Sequence, residues 1–192
     1  MRTVGDAGNS SAARDRSAFS GKILRLTPDG GVPQDNPFPG SLVYCYGHRN
    51  PQGIAWTPDG TMYASEFGQN MWDELNIIEP GRNYGWLAVE GLAHRSGFTD
   101  PVAQWAPAEA SPSGIAIVGG TVYIANLRGQ RLMAVPTADP SAATSRYVGE
   151  LGRMRDAVVA PDGSLWIVTS NTDGRGTPGP RDDRILRLDP PA

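Results

Sequence analysis

The chain has 192 residues, 24 of them Gly and 17 Pro, with 17 basic against 20 acidic side chains and a net charge of -3. That length can bury a sizeable core, the absence of a basic block leaves no electrostatic footprint for nucleic acid, and no apolar run is long enough to span a bilayer. A single cysteine, Cys45, excludes an internal disulfide and reads as a small buried hydrophobe at a strand end.

In chain order, Met1 to Gly8 is a polar, glycine-bearing opening without the form of a secretory leader. Ser10 to Ser17 has room for a turn or two of helix, and nothing later is patterned for a long one. Lys22 to Leu26 predicts a strand. A polar segment follows, Tyr46 to Gly53, carrying His48, Arg49, Asn50 and Gln52 between apolar runs. Then a unit recurs: an apolar pair, a Pro-Asp-Gly or Gly-Gly turn, and a strand rich in Tyr, Trp and Val. It appears at Ile54 to Ser65, Ile115 to Ala125 and Ala157 to Thr169. A further strand closes each unit, at Glu74 to Ile78, Arg131 to Val135 and Arg184 to Leu188, like the one at Lys22. These read as outer strands whose charged residues alternate towards solvent. Segment 175–183, rich in Pro and Arg, reads as a surface loop.

This recurrence predicts an all-β fold, a β-propeller of four-stranded antiparallel blades. A plain β-sandwich is the competitor, and equal recurrence of the unit favours the propeller. Closed propellers carry about 4–8 blades. Three full units and an opening strand therefore predict a partial propeller of three to four blades, one domain over 1–192, with two inter-blade faces uncovered. Trp56, Tyr63, Tyr123 and Trp166 sit at recurring strand positions and are expected between blades; Trp86 and Trp105 are also expected in the core.

Propeller loops at equivalent positions converge on the axis. Arg49 precedes the first inner strand, Arg153 and Arg155 take the same place in the last unit, and Arg128 follows the inner strand of the unit between them. Guanidiniums lining one funnel predict an anionic ligand with several carboxylates. Each arginine alone could equally be a surface residue paired with Asp or Glu. Glu66, Asp73 and Glu74 could supply oxygen ligands to calcium, or form a solvated acidic loop.

The order and spacing of Tyr46 to Gly53, Ser65 to Gly68, Asp73 to Asn76 and Asn83 to Trp86 resemble the soluble quinoprotein sugar dehydrogenases, the glucose/sorbosone dehydrogenase and aldose dehydrogenase type. The resemblance covers nearly the whole chain and matches the C-terminal half or so of a family member. It implies a six-bladed propeller using pyrroloquinoline quinone (PQQ) and calcium to oxidise the C1 hydroxyl of aldose sugars to lactones. By this match Arg49, Asn50, Gln52, Arg128, Arg153 and Arg155 belong to the PQQ and substrate site. Backbone oxygens of Gly68 and Gln69 would ligate one calcium, and Glu74 with the carbonyl of Tyr84 a second. No catalytic residue is assigned: the family's base histidine belongs N-terminal to the matched region, His48 is expected to be structural, and His94 lies in an unrelated insertion. The implied partners are an aldose sugar and an external electron acceptor, with a homodimer left open. The implied location of the full-length protein is periplasmic or secreted.

Two other classes stay open. A calcium-dependent six-bladed lactonase would need Asp, Asn and Glu side chains down the axis, where arginines stand here. A non-catalytic or truncated propeller would bind a partner or glycan through its rim.

Overall fold

The computed structural model describes residues 1–188. Four antiparallel sheets follow one another along the chain. The first holds β1 (Arg2–Val4), β2 (Lys22–Leu24) and β3 (Val43–Tyr46). The second runs β4 (Pro51–Trp56), β5 (Met62–Glu66), β6 (Asp73–Ile78) and β7 (Ala103–Trp105). The third runs β8 (Pro112–Val118), β9 (Thr121–Asn126), β10 (Arg131–Pro136) and β11 (Thr144–Arg146). The fourth holds β12 (Met154–Val159), β13 (Leu165–Thr169) and β14 (Ile185–Leu188). Among the described residues helical structure is confined to two 3₁₀ turns, Ser10–Arg14 and Pro140–Ala142. No helix among the described residues is long and apolar enough to cross a membrane.

The local chemistry of these hairpins recurs. Thr57, Ala160 and Thr27 each open a turn around Pro-Asp-Gly, closed by the glycine N–H on the carbonyl of the opening residue. The aspartate of each turn accepts a hydroxyl: Thr27 on Asp29, Thr57 on Asp59 and Ser164 on Asp162. Gly119 and Gly120, both at positive φ, make the two-residue reversal between β8 and β9.

Strand alternation then buries one side chain in two towards each neighbouring sheet. Ile23 and Cys45 meet Met62, Ala64 and Ile78 between the first and second sheets. Tyr63 and Leu75 meet Ile115, Val122, Ile124, Met133 and Val135 between the second and third. Ala116, Tyr123, Ala125, Leu132 and Ala134 meet Met154, Ala157, Leu165 and Ile167 between the third and fourth. The strands β1, β4, β8 and β12 are in succession the inner neighbours of one another. This is the packing of consecutive propeller blades, as the recurring unit predicts.

Three expectations need correction. Trp56 and Trp166 are not inter-blade core: they are 47% and 39% exposed. Trp166 pairs with Val158 across β12 and β13, on a face of the fourth sheet that also exposes Ile185. Trp56 ends β4 alongside β1, which is only three residues long. The strands at Glu74 and Arg131 are not outermost, because the short β7 and β11 pair outside them. Lys22 is not solvent-facing either: it is fully buried, and its Nζ donates to the carbonyls of Ala12 (2.7 Å), Ala13 (2.9 Å) and Ser20 (2.7 Å). The 3₁₀ turn folds over β2 and presents two of these carbonyls to the ammonium, and Ser20, just before β2, supplies the third.

Candidate functional site

The inner strands of the last three sheets share an irregularity. Register shifts fall at Pro51/Ile54, Pro112/Ile115 and Met154/Asp156, at the same end of β4, β8 and β12. Bulges of this kind re-aim the side chains beside them. They place Asn50, Ser111 and Arg153 at equivalent entrances to the three strands.

At that end lies a cleft of about 440 Å³, lined by Arg49, Phe67, Gly68, Gln69, Asp73, Arg128, Arg153 and Arg175 among others. Four guanidiniums face one carboxylate. That carboxylate, Asp73, is already committed: Gly68 N donates to one oxygen (2.9 Å) and Ser111 N to the other (2.7 Å). Burial still raises its pKa against those two donors. Arg49 Nε donates to Gln69 Oε1 (2.7 Å), and Arg153 forks onto Asp173 Oδ2 through Nε (3.1 Å) and Nη2 (2.9 Å). Low-walled concavities lined by one sign of charge concentrate the opposite sign.

The Arg49–Asn50 corner is held from beneath by Glu66, which is buried. One oxygen of Glu66 accepts the backbone N–H of Arg49 (2.5 Å) and of Asn50 (3.2 Å). The other accepts His48 Nδ1 (2.7 Å) and Asn76 Nδ2 (3.3 Å). His48 is itself fully buried, stacked on Tyr84, with Nε2 at 3.2 Å from Cys45 Sγ. Burial disfavours its charge, but the Glu66 carboxylate and Cys45 outweigh that and raise its pKa to about 10. His48 is therefore an imidazolium strut at neutral pH, without access to a substrate proton.

Loop 69–72 is held in a second way. Oε1 of Glu90 accepts four consecutive backbone N–H groups, those of Gln69 (2.9 Å), Asn70 (3.1 Å), Met71 (2.9 Å) and Trp72 (3.0 Å). Such a nest of amides suits an anion. A Cβ on Gly68 would collide with the Trp72 carbonyl, so only glycine fits there. Behind this loop is a cavity of about 10 Å³, room for one water or ion, lined by Glu66, Glu74, Tyr84 and Glu90 among others. Burial, with Glu66 nearby, raises the Glu74 pKa to about 7. Asn76 donates to both carboxylates (3.3 and 3.1 Å), yet its buried Oδ1 has no partner.

Of the residues singled out by sequence, Arg49, Arg128, Arg153, Gly68 and Gln69 meet in the cleft. Glu74 and Tyr84 meet at the small cavity. Asn50 lines an adjoining cavity of about 430 Å³ with Gly5 to Gly8 and Arg49, and Gln52 donates to its Oδ1 (2.9 Å). Arg155 lies within β12 and outside the cleft lining, with Nη2 at 3.8 Å from Asp173. Trp86 is buried and donates Nε1 to Asp6 (2.8 Å). His94 is 80% exposed beside Asp100. Sequence reasoning missed Glu90, whose loop has no periodicity, and Arg175, assigned to a surface loop. Among the described residues no three His, Cys, Asp or Glu side chains converge to hold a metal.

Residues 1–186 match the family model for glucose/sorbosone dehydrogenase. The PQQ-bound aldose sugar dehydrogenase of Streptomyces coelicolor superimposes with a TM-score of 0.93 at 54% identity, over 97% of this chain and 57% of that one. The aldose sugar dehydrogenase YliI of Escherichia coli is 30% identical over 89% of this chain and 54% of its own length. Quinoprotein glucose dehydrogenase B of Acinetobacter calcoaceticus is 50% identical over a shorter stretch, 44% of this chain and 18% of that protein. Apart from that shorter match, the chain spans about half the length of these relatives. With the propeller packing and the cationic cleft at one end of its inner strands, the match over nearly the full chain makes this protein a member of the glucose/sorbosone dehydrogenase family.

Proposed function

We propose that this chain is the cofactor-gripping portion of a quinoprotein oxidoreductase that oxidises the C1 hydroxyl of aldose sugars to lactones. The observation that carries the reading is the cleft in which four arginines face one committed carboxylate. PQQ is a tricarboxylate, and when bound it supplies the quinone that takes the hydride, later reoxidised by an external acceptor. Arg49, Arg128 and Arg153 hold its carboxylates and exclude water from the cleft wall. Asn50, Gln52 and Arg155 complete the rim from the bulged strand entrances. The proton-abstracting base belongs to a part of the protein outside this chain, since His48 is a buried strut. This reading puts the full-length protein in the periplasm or outside the cell.

Calcium suits the oxygen donors present. The carbonyls of Gly68 and Gln69 sit on the loop at the cleft edge, and are the proposed ligands there. Glu74 and the carbonyl of Tyr84, beside the small cavity and the unpartnered Asn76 oxygen, are the proposed ligands of a second ion. Carboxylate and carbonyl oxygens are the hard donors that calcium takes.

Calorimetric titration of the chain with PQQ, with and without calcium, tests the assignment. Saturable binding that requires calcium supports it. A folded chain that binds no PQQ overturns it. Calcium alone should raise the urea midpoint through the second site, and an unchanged midpoint removes that site.

A further inference from the structure

We infer that Arg175, on the loop between β13 and β14, is a fourth guanidinium gripping a carboxylate of the ligand in the cleft. This rests on the reading of the cleft as a polycarboxylate site, and extends it to a loop that neither the recurring blade unit nor the family's motif residues include.

Three observations carry it. First, Arg175 lines the same cleft as Arg49, Arg128 and Arg153, yet its side chain makes no hydrogen bond or ion pair among the described residues. Second, the loop is built to hold it there. Asp173 Oδ1 accepts Arg175 N (2.9 Å) while Oδ2 takes the Arg153 fork, so one carboxylate sets both arginines side by side. Asn171 anchors the loop base by accepting Arg153 N (2.7 Å) and donating to the Leu151 carbonyl (3.0 Å). Gly174 is at positive φ, and a Cβ on Gly176 would come within 2.5 Å of the Asn171 carbonyl and 3.0 Å of Arg153 Cδ. Gly174 thus turns the loop and Gly176 lets its backbone press against Asn171 and Arg153. Third, the electrostatics are unbalanced. The guanidiniums of Arg153 and Arg155 share the one carboxylate of Asp173, and Arg175, tied to the same carboxylate only through its backbone N–H, brings a further cation to that wall of the cleft. Like charges in a concave, partly desolvated wall repel unless an anion arrives between them.

The cleft arginines also come from three successive sheets: Arg49 before β4, Arg128 after β9, and Arg153 with Arg175 flanking β12 and β13. The ligand class is therefore an anion with carboxylates on more than one edge. Arg175 and Arg153 would take the edge nearest the fourth sheet, each as a charge-assisted fork.

The test is calorimetric titration of PQQ, in saturating calcium, into the chain and its R175Q and R175K variants, with urea midpoints measured on all three. Because the Arg175 side chain supports nothing in the fold, the midpoints should agree. R175Q should bind at least tenfold more weakly, the loss of one charge-assisted contact, and R175K should recover part of that. Equal affinity of R175Q and the parent chain overturns the assignment of Arg175 while leaving the cleft reading intact. A folded parent chain that binds no PQQ overturns both. A fall in the R175Q midpoint shows a structural role and also overturns the inference.

Discussion

Replacing Glu66 tests whether the Arg49–Asn50 corner is held from below. In Glu66→Ala the imidazolium of His48 loses its carboxylate at 2.7 Å while remaining fully buried. The N–H groups of Arg49 and Asn50 and the amide of Asn76 lose their acceptor in the same step. Stranding one member of a buried charge pair costs about 3–5 kcal/mol, and a domain of this size has about 5–15 kcal/mol in total. Glu66→Gln keeps an oxygen for the two backbone N–H groups and lets His48 turn neutral, so it should cost only about 1–2 kcal/mol. Urea unfolding followed by the fluorescence of the five tryptophans reads both. With a slope of about 2 kcal/mol/M, the alanine variant should lose about 2 M in midpoint. If Glu66→Ala falls within about 1 kcal/mol of the parent, the strut is not what holds the corner, whatever its geometry.

Glu90→Ala should free the amides of residues 69–72, which all share one carboxylate oxygen. Their hydrogen exchange should quicken about tenfold or more, with Glu90→Gln between; unchanged protection would show that other contacts hold the loop. Arg153→Ala with Arg155→Ala should weaken PQQ binding about a hundredfold or more in calorimetry, and unchanged affinity would remove the fourth sheet from the site. Asp29, Asp59 and Asp162 are held below the ordinary carboxyl value of 3.8, first by the hydroxyls of Thr27, Thr57 and Ser164. A depressed carboxylate stabilises the fold above its unfolded pKa, and that contribution vanishes as pH falls through the lower folded value. The triple Asp→Asn variant should therefore show a shallower acid-unfolding curve below pH 3.8 than the parent, with the curves parallel near neutrality. Identical curves would mean that the turn aspartates do not couple to folding.

Much of the architecture is legible in the residues because it is local. The Pro-Asp-Gly turn at 58–60 and 161–163, and the Gly-Gly turn at 119–120, reverse the chain through their own φ preferences and side-chain caps. The alternation in Thr121–Asn126 and Leu165–Thr169 marks strands for the same reason. Strands β7 and β11 escape notice because three residues carry no period. Lys22 misleads because alternation reports a face and says nothing of a 3₁₀ turn folding back across it.

The site divides in the same way. Chain order pairs Arg49 with Arg153, since both stand just before the innermost strand of a blade and repeated places converge on an axis, and Arg128, after β9, meets them in the cleft. Tertiary structure alone decides that Arg155 stays outside the cleft lining, that Glu66 and Glu90 hold the loops, and that Arg175 joins the cleft. These depend on contacts between segments from about 16 to 21 residues apart, such as Glu66 with Arg49 and Glu90 with Gln69. No propensity or spacing encodes such a meeting: it exists only once the sheets have packed and the bulges have turned the loops towards one another.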